Sequence, residues 1–431
     1  MGMTFIKALL VMLFGLVGAH VPKAFTGLYL AIALTWVMAT WFDPQPWHPL
    51  PGSQGMRLRL VQVLVLLFSL AYPIALISYG IWQLNGRQLL DVVSAFLLPS
   101  GLLWWGAYLA RRQIRLLSAC LLSYGMGALI FLVAALCKTR GFDWFGASPD
   151  PASLLMAWGA EASMNVRSVE QNGILNIVNA PVAIWLLLEK RYWQGLLLLA
   201  FALVGLCSVL PLAHGRLWII SLTIASYPWV VSMARSFLSR ATKRWPGSRL
   251  WPALPVLLGA FLSALIIPNS RHLCDERFAI YGQALRHWPE LISGGRQLSY
   301  DVLMCDGLTH ATLSLRPGAS PSFAMLHNVF LDVLATAGWL ATLPMLLFLV
   351  VGLFLFVRLA IRFCCQRLWR PSFSIQVIWS FLAVIIPQWL FQPLVYGDGL
   401  LYYLSYAAFG VLLVIQLPAE DQSLALETPR S

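Results

Sequence analysis

Apolar runs follow one another along almost the whole of this 431-residue chain, with only short polar stretches between most of them. A helix needs about 20 apolar residues to cross the hydrocarbon core of a bilayer. A lipid-exposed backbone must form all its hydrogen bonds internally, which favours helices. We therefore predict an all-α polytopic membrane protein, with about twelve transmembrane helices in a single transmembrane domain over residues 1–431. The runs lie at 5–19, 25–41, 60–82, 92–110, 116–137, 173–188, 193–210, 217–233, 253–267, 329–357, 375–391 and 400–417.

Composition excludes other classes of protein. Hydrophobic residues make up 59% of the chain and charged residues only 11%, whereas soluble globular domains carry about 25% charged residues. A soluble fold, a disordered chain and a coiled coil are therefore all excluded.

The net charge of +12 reports orientation in the membrane. With twelve spans, the side that carries both termini holds 18 Lys and Arg against 5 Asp and Glu, and the other side holds 11 against 12. Because basic loops stay in the cytoplasm, both termini are predicted to be cytoplasmic. The basic excess then needs no nucleic-acid partner.

Two long polar segments fall outside the cytoplasm in this topology. Residues 138–172 form one predicted periplasmic loop, and residues 268–326 form a larger, partly helical one. The spans themselves contain almost no ionisable residues, and Asp332, near an outer span end, is the only acid well inside one. Because transporters usually place ionisable groups near the bilayer midplane, the pattern favours a reaction at the outer surface over transport.

Arginines at the outer surface are the first candidates for that reaction. Arg216 lies in a short His-Gly-Arg turn between two apolar runs, and Arg277 begins a stretch with helical apolar spacing that Pro289 and two glycines are predicted to end. The planar guanidinium can contact two phosphate oxygens at once. The alternatives are an interfacial anchor for Arg216 and a surface helix lying on the membrane for the Arg277 segment.

His327 and Asn328 stand where the larger loop meets the tenth apolar run. A neutral histidine is suited to act as a general base near pH 7; the alternative is a structural interfacial histidine. Asn328 is a supporting residue or simply the N-cap of the following helix, and Gly338 allows a bend or close packing.

These features together resemble the O-antigen ligase and O-antigen polymerase superfamily of bacterial inner membranes. The resemblance rests on the Gly215-Arg216 turn, the Arg-led aromatic helix from Arg277 with Gly294-Gly295, and the His327-Asn328 junction followed by a helix with Gly338. The motifs cover the region from Arg216 to Leu340, and the span pattern covers most of the chain.

The resemblance implies a metal-independent, inverting glycosyltransferase that uses no cofactor and has a periplasmic active site. A ligase moves a glycan from undecaprenyl diphosphate to a sugar of lipid A–core. His327 then matches the catalytic histidine, and Arg216 and Arg277 match the diphosphate-binding arginines. Arg167 resembles a further arginine of the family; alternatively, it is a solvated loop charge paired with Glu170. The implied partners are the lipid-linked donor, the lipid A–core acceptor and membrane lipids.

Three alternatives remain open at the level of sequence. A polymerase would transfer the glycan to another lipid-linked repeat with the same donor chemistry. An O-oligosaccharyltransferase would transfer it to protein. A polyisoprenoid-glycan transporter would move the donor across the bilayer, but the scarcity of mid-span ionisable residues counts against it.

Cys274 and Cys305 are the only cysteines that this topology places outside the cytoplasm and the spans. The periplasm is oxidising, so a disulfide bond between them is chemically allowed. The alternative is a pair of separate thiols. The sequence contains no His/Cys cluster or Asp-x-Asp pair typical of a metal site.

Overall fold

The computed structural model is predominantly helical over the part of the chain that it describes. It describes residues 9, 11–13, 52–79, 86–112, 114–123, 178–209, 221–227, 281–282, 284–294, 296–302, 311–317, 326, 328–365, 373–391 and 399–414.

Eight helices and one strand pair make up most of these described residues. In chain order they are α1 Gly52–Tyr79, α2 Gly86–Arg112, α3 Asn179–Leu188, α4 Tyr192–Val209, α5 Trp288–Ser293, β1 Arg296–Val302, β2 Ala311–Pro317, α6 Val329–Cys365, α7 Phe373–Phe391 and α8 Gly399–Val414. Residues Ile114–Ser123 and 221–227 are also helical.

The long helices coincide with predicted apolar runs but extend beyond some of them. Arg57 and Arg59, predicted to precede the third run, lie inside α1, and Arg111 and Arg112 form the end of α2. A helix satisfies its own backbone hydrogen bonds, so it can continue past its apolar stretch into polar sequence.

Two helical segments among the described residues are long and apolar enough to cross a membrane, namely Ala337–Ile361 of α6 and Phe373–Leu390 of α7. They agree with the prediction of a helical protein with membrane-spanning segments. The full set of twelve spans and the orientation of the loops remain predictions.

Aromatic rings from four helices meet in the core. The Phe348 ring of α6 stacks on Tyr406 of α8 with ring centroids 4.6 Å apart, and Phe68 of α1 meets Tyr406 edge-to-face at 5.3 Å. Trp389 of α7 lies 5.9 Å from Phe348, and its indole N–H donates to Ser405 Oγ at 3.2 Å. These ring contacts join the C-terminal end of α7 to α6 and α8.

Helices α2 and α8 pack with their backbones in close contact. A Cβ atom at Gly106 would overlap the carbonyl group of Ala407. Small residues permit this type of approach, which is common where apolar helices pack within membranes.

The segment around α5 corrects one sequence prediction. The helical residues described after Arg277 end at Arg286, and Pro289 lies in the first turn of a separate short helix, α5, which Gly294 ends with φ of 73°. Proline fits a first helical turn because an N–H group there has no intrahelical acceptor.

The two strands were not predicted, because the large loop was expected to be partly helical. They pair antiparallel, with Arg296 opposite Pro317 and Val302 opposite Ala311. The pair follows α5 directly and β1 lies beside α6. Helix α5, the strands and the start of α6 are therefore neighbours.

Candidate functional site

Of the predicted site residues, the structure describes Asn328 only. His327, Arg216, Arg277 and Arg167 lie outside the described residues, as do Cys274 and Cys305. Their assigned roles remain predictions. The structure does describe Leu326 and Asn328, the residues on either side of position 327, and shows what they contact.

Asn328 caps the first turn of α6. Its Oδ1 accepts hydrogen bonds from the backbone N–H groups of Phe330 at 3.0 Å and Leu331 at 3.1 Å. The first N–H groups of a helix have no intrahelical acceptor, and asparagine is among the preferred caps. The capping interpretation of Asn328 is therefore confirmed, and a supporting role in the site remains compatible with it.

Asp332, one turn into α6, folds its side chain back onto the chain that enters the helix. The carboxylate is fully buried and accepts a hydrogen bond from the Leu326 backbone N–H at 2.6 Å. It also accepts one from the backbone N–H of Asn328. Both residues next to His327 in the sequence therefore donate to one side chain.

The carbonyl oxygen of Leu390 joins three parts of the chain. It accepts from Tyr281 Oη at 2.7 Å and from Asn328 Nδ2 at 3.1 Å. Leu390 is the penultimate residue of α7, and carbonyl groups in the last turn of a helix lack intrahelical donors. These two side chains satisfy that need and fix the end of α7 against the start of α6.

A small apolar core, separate from the main one, includes Leu326 and Tyr281, which take part in these hydrogen bonds. We call it the external cluster; its buried members are Ala284, Leu291, Leu326, Leu334 and Ala335, with Tyr281, Ile292 and Leu331 packed against them. It joins the segment that follows Arg277 to the segment that contains His327. Burying one leucine side chain contributes roughly 1.5–3 kcal/mol, so the contact is a substantial one.

Gly294 and Gly338 bring the backbones of α5 and α6 together. A Cβ atom at Gly294 would lie 2.5 Å from the Gly338 nitrogen. Gly338 has φ of 79° and ψ of 172°, which interrupts the helical geometry of α6. Both interpretations of Gly338, a bend and close packing, are confirmed. The Gly338 carbonyl accepts a hydrogen bond from Thr342 Oγ1 at 2.7 Å.

Charged side chains are exposed on α5 and beside it. His287 Nδ1 lies 3.3 Å from Glu290 Oε1, and both side chains are partly exposed. Arg286 and Leu285 are exposed beside them. The exposed side of the segment thus carries charged groups together with the apolar side chains of Leu285 and Trp288, whereas Ala284 and Leu291 are buried.

The arrangement fixes the backbone at Leu326 to α6 and the side chain of Asn328 to the end of α7. The described residues contain no group of three His, Cys, Asp or Glu side chains placed to hold a metal ion. The described residues could support a site in three ways. Asn328 caps the start of α6, the Asp332 side chain is buried, and the Leu390 carbonyl accepts two hydrogen bonds.

Sequence reasoning missed three of these supports. Asp332 was noticed only as an isolated acid, because it lies four residues after the Asn328 cap, whereas a capping box has its acid three residues after the cap. Nothing in the sequence predicts that Tyr281 donates to a distant backbone carbonyl. The Leu390 carbonyl has no sequence signal, because every residue carries the same group.

No family model, no curated protein and no solved structure matches this chain. The resemblance to the ligase and polymerase superfamily therefore remains a prediction from the sequence.

Proposed function

We propose that this chain is a membrane glycosyltransferase of the O-antigen ligase type. In this proposal it transfers a glycan from undecaprenyl diphosphate to a sugar of lipid A–core. The reaction takes place at the periplasmic face of the bacterial inner membrane.

One observation carries the proposal more than any other. Tyr281 and Asn328, 47 positions apart in the sequence, donate to the same Leu390 carbonyl. The chain following Arg277 is thus packed against the chain that flanks His327. This contact supports the proposal, because the resemblance treats the motifs of Arg277 and His327 as parts of one active site.

The proposed chemistry needs a base and a source of positive charge. His327 removes the proton from an acceptor hydroxyl as its oxygen attacks the anomeric carbon. The bond from that carbon to the diphosphate oxygen breaks, and the configuration inverts. The guanidinium groups of Arg216 and Arg277 stabilise the negative charge that develops on the departing diphosphate.

The assay uses proteoliposomes that contain the lipid-linked glycan and lipid A–core. Wild-type protein should produce glycan-capped lipid A–core, and His327→Ala should lose about 10²–10⁴-fold in turnover, the usual contribution of a general base. Glu290→Gln, which removes one exposed charge from α5, is the control. Wild-type turnover by well-folded His327→Ala would remove the basis of the proposal.

The products distinguish the competing functions. Extension of the donor lipid without capping of lipid A–core indicates a polymerase. Glycan appearing on protein indicates an O-oligosaccharyltransferase. Donor that moves between leaflets without any new glycosidic bond indicates a transporter. Added chelator should leave turnover unchanged, and loss of turnover that Mg²⁺ or Mn²⁺ restores would contradict the metal-independent mechanism.

A further inference from the structure

We infer that Asp332 is a positioning residue that holds the backbone on both sides of His327. This inference rests on the proposed function, because a fixed backbone at this point matters for turnover only if His327 acts on the substrate. Asp332 itself would not touch the substrate.

The geometry that leads to this inference is the pair of hydrogen bonds to one buried carboxylate. Leu326 donates its backbone N–H to Asp332 Oδ1 at 2.6 Å, and Asn328 donates its own N–H to the same side chain. These are the residues immediately before and after His327. The Asp332 side chain therefore links the residue before position 327 to the residue after it.

Other contacts fix Asp332 and its two donors to the rest of the protein. Leu326 is fully buried in the external cluster. Asn328 bonds to the first turn of α6 through Oδ1 and to Leu390 of α7 through Nδ2. Asp332 is part of α6, and its own N–H donates to the Asn328 carbonyl at 2.9 Å. The chain entering and leaving His327 is thus anchored to two helices.

An acid at position 332 is best explained by the backbone N–H groups of Leu326 and Asn328, which need an acceptor. Ionisable residues inside apolar helices are costly and rare unless they have specific partners. An apolar residue at 332 would leave the N–H groups of Leu326 and Asn328 without this acceptor, and unsatisfied buried donors are unfavourable. A carboxylate is also favoured in the first turn of a helix, where the helix dipole is positive.

Positioning of this kind has a large effect on a general base. A displacement of about 1 Å can lower a rate by about 10²-fold even when the reacting groups are unchanged. The effect falls on kcat, because the binding of the lipid-linked donor does not depend on the orientation of the base.

The experiment compares two substitutions. Asp332→Leu removes Oδ1, the oxygen that accepts from Leu326, and Asp332→Asn can keep a carboxamide oxygen in that place. We expect Asp332→Leu to lower kcat by roughly 10- to 100-fold with the donor KM changed by less than about threefold. Asp332→Asn should retain a rate between those of Asp332→Leu and wild type. Glu290→Gln, at an exposed acid of α5, should behave as wild type.

Hydrogen exchange tests the same inference without turnover. The amides of Leu326 and Asn328 should exchange faster in Asp332→Leu, whereas amides of α6 beyond Gly338 should keep wild-type rates. A general loss of packing would instead raise exchange along α6 and reduce the yield of folded protein. If Asp332→Leu does not fold, the Asp332→Asn variant decides, and wild-type kcat together with wild-type exchange in that variant would overturn the inference.

The outcomes for Asp332 and for His327 can be told apart. An inactive His327→Ala variant together with a fully active Asp332→Leu variant would refute the positioning role and leave the proposed function intact. A fully active His327→Ala variant would refute the proposed function whatever the exchange data show. An equal rise of donor KM and fall of kcat in Asp332→Leu would also contradict positioning.

Discussion

Asn328 makes two contacts that substitution can separate. Asn328→Ala removes the cap and the bond to Leu390, and losing a cap alone costs about 0.5–2 kcal/mol. Asn328→Asp keeps a capping oxygen but loses the Nδ2 donor and places a carboxylate beside the Leu390 carbonyl. We expect both variants to unfold at lower temperature than wild type. In hydrogen exchange, the amides of Phe330 and Leu331 should be deprotected in Asn328→Ala only. Equal deprotection in both variants would mean that the cap depends on the Leu390 contact.

Arg216 and Arg277 provide the test of the proposed diphosphate site. Lysine keeps the charge but cannot contact two phosphate oxygens in one plane. The loss of one charge-assisted hydrogen bond, about 1.5–3 kcal/mol, corresponds to roughly 10- to 100-fold in rate. Arg216→Lys and Arg277→Lys should each show this loss in the transfer assay. Arg286→Lys, at an exposed position of the same segment, is the control. Full activity of both variants would identify the two arginines as membrane anchors.

The proposed site depends on the backbone contact between α5 and α6. Gly294 has φ of 73° and no room for a Cβ atom beside Gly338. Such backbone conformations cost of the order of 1–3 kcal/mol for other residues. Gly294→Ala should therefore lower the unfolding temperature and the transfer rate together.

Gly282 supplies a matched control for that substitution. It lies in the same segment, in a helical conformation, and a Cβ atom there would meet nothing within 4 Å. Alanine is the better helix former by about 1 kcal/mol, so Gly282→Ala should be neutral or stabilising. If the two variants were equally destabilised, the backbone contact between Gly294 and Gly338 would not be important for stability.

The sequence predicted elements better than it predicted contacts. Apolar runs identify α6 and α7 because lipid-facing and core-facing positions are both apolar there. The cap at Asn328 and the bend at Gly338 follow from residue type and position. The strand pair was missed, and so was the short helix α5 that begins at Trp288 after the preceding helical residues end. The Leu390 carbonyl could not be found, because a backbone acceptor has no residue type and its donors come from distant positions.

At the scale of the whole molecule, the predicted topology can be tested through its cysteines. Cys274 and Cys305 are predicted to face the periplasm, where a disulfide bond can form. It would close a loop of about 30 residues, worth roughly 3–4 kcal/mol in the chain-entropy model. Alkylation of unreduced protein followed by mass spectrometry should find neither thiol modified, while Cys364 and Cys365, at the end of α6 on the predicted cytoplasmic side, should be alkylated. Two free thiols at 274 and 305 would rule out the bridge.

The break at Gly338 has a consequence for how the protein responds to its bilayer. A span tilts when the thickness of the surrounding hydrocarbon changes, and an unbroken α6 would carry that tilt to its first turn as a rigid rod. Because the helical geometry is interrupted at Gly338, just after the apolar span begins at Ala337, the rotation can be absorbed there. The first turn stays attached to α7 through the Leu390 carbonyl. We therefore expect turnover to vary little between vesicles made of shorter and longer acyl chains.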